Sequence, residues 1–537
     1  MANVVVAVGG SGAKTLEALI MLCAAGLGPD DDLTVVAIEP DKDNGNFRRA
    51  EALFDTYQRL HGFFRDSRNR LPGHSRLFRT RLRILLDGGL RWSPLNDTAR
   101  GNTLAEVFQV SQMRRDPERE GEVMLIDSLY TRRRSATDAE GEQETPLDGG
   151  FRGRPPIGVA VLAGVAERDD PLFEKLDDLV SGSKEGEPPR IFFFGSIFGG
   201  TGASCIPGLA RLIRGTQTRL PIGASFLLPY FGFESINEAI VAANAAEFLR
   251  QTQGSLRYYA DALDQQAIFD QIFLVGSPKL SIMPDPEHYG PNQKNPPLLV
   301  ELVAALAGCR FLRSTTRDDA ESGTERVGYK VVSTPQVVWS DLPYAVPNAH
   351  PDEDDTALGG LGRLVRFAWA FSAVYAREIS SVTSSSSQPW YRTWISDAGV
   401  DLQGATADAV GPMKNLLARF CADVLSWFGT ISEPPQGDGG VRDPLPSNLT
   451  TAALFRSSQL DETGYLRLPI DRNGLLLSTG REWNDFDRLI TSGKGLSLEE
   501  IFYELNGRRP RDRAQPGSKL GALVGELFDA CYVHSSV

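Results

Sequence analysis

Six residues in the middle of the chain have the composition of an anion-binding loop: Gly199-Gly200-Thr201-Gly202-Ala203-Ser204. They follow an apolar run at 191–198 that is typical of a buried strand, and they precede a predicted helix with Pro207 in its first turn. Glycines let an oxyanion approach the backbone N–H groups, and the N-terminus of a helix favours negative charge. The pattern predicts phosphate binding, with a plain tight turn as the alternative.

The N-terminal segment has the same order of strand, loop and helix. An apolar run at 4–8 leads into Gly9-Gly10-Ser11-Gly12, and the spacing of apolar residues over 14–25 predicts a helix that ends at Gly26. The segment is not a P-loop, because Ala13 and Val8 stand where that motif requires glycine, and the third glycine of the dinucleotide fingerprint is also missing.

Acidic residues follow the next predicted strand, at 33–38. Glu39 and Asp41 flank Pro40 there. Ligands of open α/β sheets bind outside the carboxyl ends of the strands, so both acids are expected on the ligand side. An acid at this place would bind a ribose in a dinucleotide fold, and a solvated turn is the alternative.

Two later loops complete the pattern. Gly153, Arg154 and two prolines lead into a predicted helix over 157–167, and Arg154 could bring a positive charge to a phosphate. Glu234 follows a predicted strand at 221–228 and precedes a predicted helix over 236–262.

These segments together resemble the tubulin and FtsZ superfamily. The 199–204 loop resembles its GGGTG[ST]G signature, and the 9–12 loop resembles its first nucleotide loop. Glu39 and Asp41 match an acid-bearing loop near the nucleotide and its magnesium. Gly153 and Arg154 match a loop that senses the γ-phosphate, although the family usually has asparagine at the position of Arg154. Glu234 matches an acid near the ribose.

A segment at 296–309 is apolar nearly all round, which predicts a buried helix. The resemblance makes it the central helix of the family, where Tyr289 with Asn292 or Asn295 would stack on and hydrogen-bond the guanine. Capping of the helix is an equally simple role for these residues. The nucleotide-binding residues expected in total are Gly9, Gly10, Ser11, Gly12, Glu39, Asp41, Gly153, Arg154, Gly199, Gly200, Thr201, Gly202, Ala203, Ser204, Glu234, Tyr289, Asn292 and Asn295.

The family completes its site with acids from a neighbouring subunit, which activate water. Here Asp341 matches the second of those acids, while Val338 replaces the first. Asp341 is therefore the expected catalytic residue, and the acidic cluster at 352–355 is the alternative.

Composition limits the remaining possibilities. The net charge of −13 makes nucleic-acid binding unlikely, and five scattered cysteines without CxxC spacing indicate neither disulfides nor a zinc site. The apolar runs are shorter than the roughly 18 residues of a membrane span, and the N-terminus has no signal-peptide pattern, so we expect a cytoplasmic protein without a membrane span.

The sequence thus predicts an α/β fold with a parallel-sheet, Rossmann-like GTPase domain of the tubulin/FtsZ type, a central helix, and then a mainly helical C-terminal region. The expected boundaries are 1–312, 313–379 and 380–537. The resemblance implies GTP or GDP with Mg²⁺, head-to-tail self-assembly into filaments, and GTP hydrolysis at the subunit interface. Further protein partners could bind the C-terminal region. The alternatives are a non-hydrolysing nucleotide-binding scaffold that acts through partners and an NAD(P)-dependent oxidoreductase.

Overall fold

The computed structural model describes most of the N-terminal two thirds of the chain and four helical segments beyond it. The described residues are 3–30, 32–66, 70–95, 103–132, 141–144, 146–147, 149–151, 153–165, 170–182, 189–216, 220–233, 238–265, 268–277, 280–283, 291–313, 327–328, 342–343, 356–375, 410–432, 498–508 and 519–532.

The described strands form one large parallel sheet and one small parallel pair. In chain order they are β1 (Asn3–Val8), β2 (Leu33–Ile38), β3 (Leu82–Ile84), β4 (Arg91–Trp92), β5 (Ile191–Ser196), β6 (Ile222–Leu227), β7 (Phe231–Phe233), β8 (Gln271–Val275), β9 (Ser281–Met283) and β10 (Val327–Gly328). The large sheet has the order β10-β8-β6-β5-β1-β2-β3, with β4 also beside β2, and β7 pairs with β9.

The strand order reverses direction between β1 and β5. From β1 the chain adds β2 and β3 on one side, and from β5 it adds β6 and β8 on the other. At the centre, Ala7 of β1 pairs with Ala37 of β2 and with Phe194 of β5. Such a reversal opens a crevice outside the carboxyl ends of the two strands, where α/β proteins bind ligands.

Helices cover both faces of this sheet. They are α1 (Gly9–Ala24), α2 (Gly45–His61), α3 (Leu104–Val107), α4 (Val110–Met113), α5 (Glu120–Leu129), α6 (Pro155–Val165), α7 (Pro171–Ser181), α8 (Gly200–Thr216), α9 (Glu238–Gln265), α10 (Leu299–Arg313), α11 (Arg363–Tyr375), α12 (Val410–Ser432), α13 (Leu498–Gly507) and α14 (Lys519–Ala530). Short π-helical turns precede α11 and follow α2.

Alternate residues of the strands point to different layers, as the period of a strand requires. Val5 and Phe192 belong to the buried cluster that also contains α1, α2, α10 and the C-terminal helices α11–α14, whereas Val6 and Phe193 belong to the cluster that contains α6, α7 and α8. Because helices cover both faces of the sheet, residues on both sides of each strand are buried, and the strand sequences are continuous apolar runs. The predicted α/β fold with a parallel sheet is confirmed, and the described segments after residue 356 are mainly helical.

Two predicted helix starts were wrong. Helix α8 begins at Gly200, so the glycines form its first turn and Pro207 lies inside the helix. Likewise, α1 begins at Gly9 and not near Lys14. Glycine is in general unfavourable in a helix. At these two helix starts, however, neighbouring backbone comes so close that only glycine fits. Among the described residues, no helix is both long and apolar enough to cross a membrane.

Candidate functional site

The 9–12 loop and the 199–204 loop touch each other at the crevice between β1 and β5. Gly9 has a left-handed backbone with φ of +72°. A Cβ atom placed on Gly9 would lie 3.3 Å from Thr201 Cβ and 3.6 Å from the backbone nitrogen of Gly202. Because a side chain at Gly9 would be strained and crowded, glycine is required where the two loops meet.

The 150–153 loop lies against the 199–204 loop. Gly150 and Gly153 also have left-handed backbones, with φ of +73° and +71°. A Cβ atom on Gly200 would lie 3.1 Å from the backbone nitrogen of Gly153 and 2.9 Å from Phe151 Cβ. Three glycine loops that are distant in the sequence therefore meet at one edge of the sheet.

Each of these loops leads into the positive end of a helix. The first turns of α1, α6 and α8 contain no acidic residue. In the part of the chain that the structure describes, no side chain caps the N-terminus of α1. The first backbone N–H groups of a helix have no partner within it and carry partial positive charge. The three helix starts together are suited to bind an anion with several charges.

Within the 199–204 loop, only some residues face away from the protein interior. Gly199 and Thr201 are half-buried, whereas Gly202, Ala203 and Ser204 are buried. The Ser204 hydroxyl donates to the carbonyl of Gly200 at 2.7 Å, so it stabilises the turn from inside. A Cβ atom on Gly202 would collide with the backbone oxygen of Ser196.

The two acids after β2 are buried beside the loops. Glu39 Oε1 accepts a hydrogen bond from the backbone N–H of Asp41 at 3.1 Å and would lie 3.9 Å from a Cβ atom on Gly150. Burial raises the pKa of Glu39 to about 8, although the hydrogen bond from the backbone N–H of Asp41 opposes this shift. At neutral pH this carboxyl is therefore mainly protonated, and a bound cation would favour its ionised form.

Asn292 and Asn295 belong to a segment that packs on the start of α2, next to the 9–12 loop. The backbone N–H of Asn295 donates to Asn46 Oδ1 at 2.8 Å, and Asn44 Nδ2 donates to Gln293 Oε1 at 2.6 Å. A Cβ atom on Gly10 would lie 3.5 Å from Asn46 Nδ2.

Sequence analysis missed Asn44 and Asn46. Asn44 caps α2 by accepting from two backbone N–H groups. A polar residue before a helical pattern is a sequence signal for such a cap. Three predicted site residues, Glu234, Tyr289 and Asp341, lie outside the described residues.

Behind the 9–12 loop, the first helix carries two buried ion pairs that sequence analysis also missed. Lys14 Nζ lies 2.5 Å from Glu301 Oε1 on α10, and Arg49 Nε on α2 lies 2.7 Å from Glu17 Oε1. Lys14 thus pairs with a carboxylate in the interior, which agrees with the absence of a P-loop motif.

One group of three side chains among the described residues has the spacing of a metal site, away from this edge. His74, Glu526 and Asp529 offer ligand atoms within 4.8 Å of one another. Arg508 Nη1 lies 3.3 Å from Glu526 Oε2, and Arg363 Nη1 lies 3.9 Å from Asp529 Oδ1. Because these arginines offset the carboxylates, we interpret the group as an ion-pair network that joins α14 to the loop before β3.

Comparison with known proteins gives little sequence similarity. No protein-family model matches the chain, and no curated protein matches its sequence. Among solved structures, the chain is similar to CetZ from Methanosaeta thermophila strain DSM 6194, at 14% sequence identity and a TM-score of 0.25. That match covers 62% of this chain and 65% of the other. The functional conclusion therefore depends on the site itself.

Proposed function

We propose that the chain binds a nucleotide at the edge of the sheet between β1 and β5, with the phosphates against the three glycine loops. The observation that supports this most directly is the meeting of three helix starts at one edge of the sheet, where glycines let the loops pack closely on one another. Several helix N-termini at one edge suit the clustered negative charges of a di- or triphosphate. The alternative, in which the glycines only form a tight turn, does not explain why three loops and three helix N-termini lie together.

The nucleotide we propose is GTP or GDP with Mg²⁺, on the resemblance of the loops to the tubulin and FtsZ superfamily. Backbone N–H groups at 9–12, 150–153 and 199–204 would bind the phosphates, and Arg154 would add a positive charge. Glu39 and Asp41 fit a cation, because a buried carboxyl with a raised pKa gains most from one. Glu234 would bind the ribose, and Tyr289 with Asn292 or Asn295 would bind the base. Bound GTP would supply the phosphoanhydride bond for hydrolysis.

We further propose that subunits assemble head to tail and that each site is completed by its neighbour. Asp341 of one subunit would then orient the attacking water at the nucleotide of the next. In this scheme residues 1–312 bind the nucleotide and carry the central helix, residues 313–379 reach the neighbour, and residues 380–537 offer a surface for other proteins.

Turnover at several protein concentrations tests this assembly. Phosphate release per subunit is expected to rise with protein concentration, because one subunit holds only part of the site. Asp341→Ala should bind GTP normally but hydrolyse it about a hundredfold more slowly, the scale for a lost acid–base group. A matched Asp352→Ala variant should retain turnover. Turnover that is independent of concentration would contradict the shared site, and a slow Asp352→Ala with a normal Asp341→Ala would move the role to the 352–355 cluster.

A second candidate is a scaffold that binds nucleotide without hydrolysing it and acts through partners. It is favoured by Val338, which stands where the family has its first acid. Bound GTP that persists during assembly would support it. An NAD(P)-dependent oxidoreductase would use the 9–12 loop and Glu39 but leaves the 199–204 loop without a role.

A further inference from the structure

A chain of buried polar contacts joins the start of α1, directly after the 9–12 loop, to helix α10. Tyr230, in the loop after β6, is fully buried, and its hydroxyl donates to Glu301 Oε1 at 2.7 Å. Lys14, two residues after Gly12 on α1, lies beside the same tyrosine, with its Nζ atom 5.6 Å from the centre of the Tyr230 ring.

Glu301 is held from three sides. Its Oε1 atom lies 2.5 Å from Lys14 Nζ, and its Oε2 atom accepts from the backbone N–H of Leu298 at 2.7 Å. Burial raises the pKa of Tyr230 well above its ordinary value, and the charge of Glu301 raises it further, so the phenol stays protonated and remains a donor.

Burial of these groups is costly unless each is paired. A buried ion pair is often no more stabilising than an apolar pair of similar size, so its presence here requires another reason. The contacts have fixed directions, which apolar packing lacks. They end on Lys14, two residues after Gly12 on α1, and no side chain among the described residues caps the first turn of that helix.

We propose that Tyr230, Glu301 and Lys14 are positioning residues for the 9–12 loop. Tyr230 orients the Glu301 carboxylate, Glu301 holds Lys14, and Lys14 fixes the start of α1, so that the N–H groups of the loop keep the direction that receives phosphate. This inference rests on the proposed nucleotide site, and it assigns a role to residues that do not touch the nucleotide.

The first experiment compares Tyr230→Phe with Tyr259→Phe. Each variant removes one buried tyrosine hydroxyl, but the hydroxyl of Tyr259 has no hydrogen-bond partner among the described residues and lies in the other helical layer. Calorimetry with GTP and Mg²⁺ should show about tenfold weaker binding for Tyr230→Phe, the scale for one lost buried hydrogen bond. Tyr259→Phe should bind as the wild type does.

Two results would overturn the proposal in different ways. Binding by Tyr230→Phe that equals binding by Tyr259→Phe would remove the positioning role and leave the nucleotide site intact. A wild type that binds neither GTP nor inorganic tripolyphosphate would overturn the nucleotide site, and the positioning role with it.

A second experiment separates positioning from a general effect on folding. Glu301→Gln is made in the wild type and in Tyr230→Phe, and GTP affinity is measured beside the thermal midpoint without ligand. If Tyr230 acts through Glu301, Glu301→Gln should weaken binding about tenfold in the wild type but less than about twofold in Tyr230→Phe. Equal effects in both backgrounds, or a changed midpoint with unchanged affinity, would contradict the relay.

Discussion

The two helices that begin at the touching glycine loops, α1 and α8, start alike but are held in place differently. Almost every residue of α1 is buried, and ion pairs of Lys14 and Glu17 join it to α10 and α2. Helix α8 has an exposed side that includes Leu212. Its buried cation, Arg214, lies in the last turn, where it bonds the carbonyls of Leu220 and Ile268.

The difference shows two ways to fix a loop that must leave its N–H groups open. In α8 close backbone packing fixes the loop, because Gly202 fits directly against Ser196. In α1, Gly12 also packs closely against the backbone of Ala7 and Phe194, and buried charged side chains add a second constraint from behind, at a distance from the crevice. Arg214, in the last turn of α8, is favoured by the helix dipole and also pairs with Asp270, whereas Lys14, near the first turn of α1, is opposed by the dipole and depends on Glu301.

The largest expected effect is on α8. Gly200→Val should abolish nucleotide binding, because its side chain would collide with Phe151 and with the backbone of Gly153. Gly215→Val in the same helix is the matched control, since a Cβ atom there meets nothing within 4 Å. Calorimetry with GTP checks both variants, and circular dichroism checks their folding. Normal affinity in Gly200→Val would contradict the proposed cradle.

A smaller effect is expected when α1 loses its buried charge. Lys14→Met leaves Glu301 without its cation and should lower the free energy of unfolding by about 3–5 kcal/mol. The double variant Lys14→Met/Glu301→Gln removes both charges and should recover most of that loss. Urea denaturation measures all three proteins. A double variant that is no more stable than Lys14→Met would show that the pair is not the cause.

These two regions also show what could be predicted from the sequence. The strands, the glycine loops and the buried central helix depend on local patterns, namely apolar runs and glycine clusters, and the structure contains them as strands and helices. Pro207 was misplaced because rules for helix starts use local propensity, while here neighbouring backbone decides where α8 begins.

The contacts behind the loop could not be predicted, because they join residues that are far apart in the chain. Lys14 looks like part of an imperfect P-loop in the sequence, and its partner is fixed only by the packing of α1 on α10. One signal existed: Glu301 is an acid in an otherwise apolar stretch, and a buried acid requires a partner.

The smallest expected effect concerns Glu39, the buried acid beside Gly150. In the folded chain the pKa of Glu39 is about 8, above the ordinary value of 4.5. Between these two pH values the folded chain holds a proton that the unfolded chain has released. The stability of the wild type should therefore fall as pH rises from 5 to 8 through this group. Glu39→Gln keeps the acceptor oxygen for Asp41 but cannot ionise.

The variant should be more stable than the wild type by roughly 1–3 kcal/mol near pH 8, and the difference should vanish near pH 5. Thermal unfolding of both proteins across this pH range measures the difference. A constant difference at all pH values would show that Glu39 ionises normally in the folded chain.

The most direct test of the central claim is identification of what the purified wild-type protein binds. Mass spectrometry of the released ligand, with calorimetry on protein from which it has been removed, should find GTP or GDP and restore binding with GTP and Mg²⁺. The Gly200→Val protein, purified in parallel, should release none, and Gly215→Val should match the wild type. Release of NAD(P) by the wild type, or release of equal amounts of nucleotide by Gly200→Val and Gly215→Val, would contradict a phosphate site made by the three glycine loops.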